Sequence, residues 1–65
     1  MAFDKRVFAV GTRYQYEISN GNSEVIIRQD YHPNEPGLVE MNQSTAVQCA
    51  DEVIARLREQ DVQTL

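Results

Sequence analysis

The stretch Ser19-Asn20-Gly21-Asn22-Ser23 constrains this chain more than any other, because it interrupts two runs that alternate between apolar and polar residues. Asn and Gly tolerate the positive φ that a tight reversal needs, and alternation with period two marks a half-buried strand. On the N-terminal side, Val7 to Ile18 places Phe8, Val10, Thr12, Tyr14, Tyr16 and Ile18 on one parity and Arg13, Gln15 and Glu17 on the other. This reads as one strand rich in aromatic and β-branched residues, with Gly11 as a bulge or a point of close backbone approach. On the C-terminal side, Glu24 to Tyr31 resumes the alternation. Val25, Ile27 and Tyr31 share one face, and Ile26, Arg28 and Asp30 the other. The two runs are expected to form a β-hairpin.

Charge discriminates between its registers. A two-residue Asn20-Gly21 loop sets Tyr16 against Val25, but also Glu17 against Glu24 and Arg13 against Arg28. A four-residue loop, Asn20 to Ser23, opposes Ile18 with Val25 and Tyr16 with Ile27, and pairs Arg13 with Asp30. Opposite charges facing across strands contribute roughly 0.2–1 kcal/mol and like charges cost similar amounts, which favours the longer loop.

Beyond the hairpin, His32-Pro33-Asn34-Glu35-Pro36-Gly37 is a loop bracketed by prolines. Leu38-Val39-Glu40-Met41 is expected to be a short third strand, antiparallel to the second. The apolar period then lengthens to that of a helix: Ala46, Val47, Ala50, Val53, Ile54 and Leu57 form one stripe. Ser44 is the expected N-cap, with Asn42 as the cap of an earlier start. The helix should run from Ser44 to Gln60, with an exposed Glu52–Arg56 pair and a frayed tail at 61–65. The fold class is therefore α+β, one domain over 1–65, with an antiparallel two- to three-stranded sheet packed on one C-terminal α-helix. The helix is expected to cover Phe8, Val10, Tyr14, Tyr16, Ile18, Val25, Ile27 and Tyr31. Val7, Ala9, Ile26 and either Leu38 or Val39 then remain on the opposite face, beside an unpaired strand edge.

Size argues for self-association. A 65-residue chain buries only about 60% of its unfolded surface, and small domains usually need disulfides, a metal or a partner subunit. Cys49 is the only cysteine and His32 the only histidine, so neither an internal disulfide nor zinc-ligand spacing exists. A homodimer or higher oligomer is expected. The formal charge of −4 argues against direct nucleic-acid binding, where cationic neutralisation of phosphates dominates affinity. No apolar run is long enough to cross a bilayer, and the N-terminus lacks the apolar core of a signal peptide. With a lone cysteine, a cytoplasmic location is expected, without a membrane partner.

Few residues carry chemistry. His32 has Asp30 two positions before it, but the sequence places no serine or cysteine nearby as a nucleophile. Cys49, with Asp51 and Glu52 close behind it in the sequence, reads as a small buried hydrophobe. Asp30, Glu35 and Glu40 lack the spacing of a calcium loop. The grouping that stands out is Arg13, Arg28, Tyr31 and His32, with Tyr14 and Tyr16. Arginine and tyrosine combine contact area with directional hydrogen bonds, and they suit protein interfaces or anionic ligands. By alternation the tyrosines face the helix and the arginines face away. The expected function is a non-enzymatic, cofactor-free accessory protein, a homo-oligomer that binds another protein, for example as an inhibitor. The alternatives are a binder of a small anionic or nucleotide-like ligand at an oligomer interface, and an acidic nucleic-acid mimic.

Overall fold

The computed structural model describes residues 2–63, with side chains over 2–60. Strand β1 (Asp4–Val10), strand β2 (Arg13–Ser19) and strand β3 (Val25–Gln29) form one antiparallel sheet in the order β1-β2-β3, and helix α1 (Gln43–Gln63) follows. The α+β architecture, three antiparallel strands and one C-terminal helix, is as the alternation and the helical stripe imply.

The strands are partitioned differently from the expectation. The Val7–Ile18 run is not one strand. It turns at Gly11-Thr12, and a strand preceding that turn begins at Asp4. Gly11 has φ +63, and positive φ at the first central residue is what a two-residue hairpin loop with glycine there uses. The reversal inverts the side-chain phase. Val7 pairs with Tyr16 and Ala9 with Tyr14, while Phe8 pairs with Gln15 and Val10 with Arg13. Directly opposed residues share a face, so Val7 joins Tyr14, Tyr16 and Ile18 towards the helix. Phe8 and Val10, expected in the core, lie on the outer face.

The second hairpin adopts neither register weighed above. Asn20 N–H donates to the Glu24 carbonyl (3.0 Å), which closes a three-residue loop, Gly21 to Ser23, with Ser23 at φ 63. The Asn20 side-chain oxygen accepts from the backbone N–H of Asn22 (2.9 Å) and of Glu24 (3.1 Å). Ser19 then pairs with Val25, but Ile18 pairs with Ile27, so Ile26 is the extra residue of a β-bulge. The bulge undoes the phase error of an odd-length loop. Carried on without it, pairing would set Ile18 against Ile26 and Tyr16 against Arg28, driving an arginine into the core. With it, Ile27 faces the helix and Arg28 faces out.

Leu38–Met41 is not a strand. Met41 makes a single bridge to Tyr14, whose N–H donates to the Met41 carbonyl (2.9 Å), and His32 N–H donates to Val39 O (2.8 Å). β3 ends at Gln29, so the returning segment pairs on the same edge of β2 beyond it. Its bridge is therefore to the first expected strand and not to the second.

Asn42, not Ser44, caps the helix: its side-chain oxygen accepts from Thr45 N–H (2.8 Å), and its carbonyl accepts from Ala46 N–H (2.9 Å). The helix continues past Gln60 to Gln63, and Thr64 and Leu65 of the expected tail lie outside the described residues. Tyr16, Ile18, Met41, Ala46, Cys49, Ala50 and Ile54 make the buried core, with Phe3, Val7, Tyr14, Ile27, Val53 and Leu57 packed around it. Small residues at 46, 49 and 50 let the helix approach the sheet closely. The helix rests on β1 and β2 and does not reach across β3. Among the described residues the ion pairs are Lys5–Asp51, Arg6–Glu17 (4.0 Å) and Arg28–Asp30 (3.5 Å). The expected Glu52–Arg56 pair is not one of them.

Candidate functional site

Register decides which charged side chains meet. On the outer face, Glu17 pairs across β2 with Arg6 on one side and Arg28 on the other. This row continues to Asp30, whose Oδ1 lies 3.5 Å from Arg28 Nε and is shielded from solvent. Arg13 approaches Asp30 from β2: its Nη1 donates to the Asp30 carbonyl at 2.8 Å. The Arg13 guanidinium also lies over the Tyr31 ring, 4.7 Å from the centroid, within the range of a cation–π contact. Arg13, Arg28 and Tyr31 are thus brought together around Asp30, although the pairing of Arg13 is with the Asp30 backbone and not across strands. Tyr31 sits with the arginines, contrary to the expectation that every tyrosine faces the helix.

His32 goes elsewhere. Its Nε2 lies 3.9 Å from the Cys49 sulfur, and its Nδ1 accepts a hydrogen bond from Asn34 N–H at 3.2 Å. An Nδ1 that accepts places the proton of the neutral ring on Nε2, facing the sulfur. In that arrangement the imidazole donates towards Cys49 and does not take its proton. Burial pushes the Cys49 thiol up from its ordinary value, and the nearby Glu52 carboxylate adds to the effect. Cys49 is 4% exposed. Burial and Glu52 therefore keep the thiol protonated and covered, which is the reverse of what activates a cysteine nucleophile. Sequence reading missed this neighbour of His32, since 17 positions separate the two and only the return of the loop onto β2 brings them together.

Tyr16 is buried as well. It is 0% exposed, and its hydroxyl has no hydrogen-bond partner. Burial raises its pKa. Cys49 and Glu52 push the same way and the Arg56 charge pulls it down. Among the described residues no group of three or more His, Cys, Asp or Glu is placed to hold a metal ion. No helix among them is long and apolar enough to cross a membrane.

The loop that follows Tyr31 carries the most exposed large apolar side chain described, Leu38 at 77%, next to the half-exposed Val39. This loop is fastened at His32–Val39 and at Tyr14–Met41, so Leu38 is presented on an anchored segment. No family model, no curated protein and no solved structure matches this chain, and the functional reading rests on these residues alone.

Proposed function

We propose that the protein works by binding another protein, through the outer sheet face and the loop that ends it. The observation that carries this reading is the exposed Leu38 on the anchored loop that follows the Arg13–Tyr31 contact in the chain. Charge names the partner's chemistry. The outer face and its margin hold three arginines (Arg6, Arg13, Arg28) and three carboxylates (Asp4, Glu17, Asp30), so its charges balance in a chain whose formal charge is −4. Among the described residues Arg6 and Arg28 are held in ion pairs and Arg13 is not, so the face suits a partner that sets an acidic group against Arg13 beside an apolar recess for Leu38. The lone, covered cysteine is in keeping with a reducing, cytoplasmic setting.

We extend the proposal to self-association, on the ground that a chain this small buries little core and leaves the outer edges of β1 and β3 unpaired. A melting temperature that rises with protein concentration supports it, and a concentration-independent 7.4 kDa species in sedimentation equilibrium removes it.

The test of the main reading compares proteins captured from a lysate by the parent chain and by Arg13→Ala, Arg28→Ala and Leu38→Asp. Partners held by the parent should be lost to all three variants, each weakened by about 1 kcal/mol or more in calorimetry. Melting curves of Arg28→Ala and Leu38→Asp should scarcely move, since exposed substitutions usually stay within about 0.5 kcal/mol. Arg13→Ala also loses its bond to the Asp30 carbonyl and should cost about 1 kcal/mol. Equal capture by all four chains takes this face out of the function.

A further inference from the structure

Because α1 lies over β1 and β2 only, the inward side of β3 is left open. A cleft of ≈ 340 Å³ lies there, between β3, the Pro33-Asn34 turn and the later turns of the helix. That volume falls within the range of small-molecule sites, about 300–1,000 Å³. Ile27, Val53 and Leu57 supply apolar wall, and Gln29, Asn34 and Arg56 supply polar groups. Tyr16 also lines the cleft, with its fully covered, unpartnered hydroxyl. Native chains leave few buried donors unpaired, because each destabilises the fold. A ligand that accepts from this hydroxyl gives it a partner.

We propose that this cleft binds a small amphipathic carboxylate, its apolar body against Ile27, Val53 and Leu57 and its carboxylate between Arg56 and the Tyr16 hydroxyl. Arg56 is the charged side chain of the lining among the described residues, which selects an anion. Its charge is also felt at the Tyr16 hydroxyl, which couples the two donors, whereas Glu52, felt there too, is not part of the lining. A planar guanidinium fork matches a carboxylate with two parallel hydrogen bonds. The amides of Gln29 and Asn34 suit a further polar substituent. This site is on the opposite side of the sheet from the proposed protein-binding face, and neither Tyr16 nor Arg56 belongs to that face, so either can fail alone.

The experiment is a titration of the ¹⁵N-labelled chain with phenylacetate and with hexanoate, followed by amide shifts, with phenylacetamide as the uncharged isostere. Saturable shifts are expected at Gln29, Asn34, Val53 and Leu57 with at least one carboxylate, and much weaker ones with the amide. Arg56→Gln should weaken binding about tenfold, as loss of a charge-assisted pair does. Tyr16→Phe should weaken it several-fold while leaving the melting temperature unchanged or raised, since it removes only the unpaired hydroxyl. Absence of saturable shifts at these residues, equal affinity for phenylacetamide, or unchanged affinity in both variants would overturn the proposal.

Discussion

The two hairpins of this sheet reverse the chain by different means. At Gly11-Thr12 a two-residue loop carries its positive φ on a glycine, and β1 and β2 stay in step from Asp4–Ser19 to Val10–Arg13. At Gly21–Ser23 the positive φ falls on a serine, the loop has an odd number of residues, and a bulge at Ile26 restores the phase. The first hairpin builds the floor under the helix. The second carries a local strain and an irregularity, and the result is a strand whose two faces both point at candidate sites: Arg28 outward and Ile27 and Gln29 inward. Departures from local regularity thus collect in the hairpin that supplies candidate site residues, where such departures are expected.

The largest expected effect separates Ile27 from Ile26. If the bulge sets the phase, Ile27→Asp places a carboxylate against the core and should destabilise the fold by about 2–4 kcal/mol. Ile26→Asp, on the unpaired outward residue, should change it by about 0.5 kcal/mol or less. Urea titrations of the two variants measure this, and equal losses would break the contrast.

A second comparison concerns the turns themselves. Gly11 has open space around the position of a Cβ, so Gly11→Ala meets only backbone strain and should cost about 1–2 kcal/mol. Ser23→Gly should act in the opposite direction and stabilise by about 0.5–1 kcal/mol, because it relieves the same strain in the other hairpin. Thermal melts of both variants read the two signs, and a loss in both would mean that the Ser23 hydroxyl outweighs its backbone strain.

A smaller effect concerns the groups buried beneath β2. Cys49 and Tyr16 both bind their protons more tightly in the folded chain than in the unfolded one, chiefly through burial. Their contribution is complete below the ordinary thiol value of 9.0 and is lost as pH rises above it towards the folded value. The tyrosine window opens later, above 10.0. Cys49→Ala should cost about 1 kcal/mol or less near neutrality, abolish the first decline in stability with pH and leave the second. Melting temperatures measured from neutral to alkaline pH check this, and an unaltered first decline would assign it to another group.

Much of the fold was legible in the sequence because it lies in short-range periodicity. The Asn20–Ser23 reversal, the alternation of Tyr14, Tyr16 and Ile18, and the stripe from Ala46 to Leu57 each follow from local pattern. What escaped was phase. A lone glycine marks a bulge or a turn equally, and the apparent parity of Phe8 and Val10 with Tyr14 and Tyr16 concealed the reversal at Gly11. One signal was present: strands usually run to about 5–6 residues, and Val7–Ile18 is too long for one. The charge argument on the second register failed because the odd-length loop and the bulge shift the pairing in two separate steps. Of the candidate site residues, Arg13, Arg28 and Tyr31 come together around Asp30, and His32 does not join them. The cleft lined by Tyr16 and Arg56 was not legible, since it exists only because the helix sits to one side of the sheet, a tertiary fact that no periodicity encodes.

The claim on which both proposed surfaces depend is that the bulge at Ile26 turns Ile27 inward and Arg28 outward. Through-space proton contacts across β2 and β3 in the folded chain test it most directly. The expected result is a contact of the Ile18 methyls with those of Ile27, with Glu17 directly opposite Arg28. Ile18 against Ile26, with Tyr16 opposite Arg28, would contradict it, for that register buries the arginine, empties the outer face and closes the cleft.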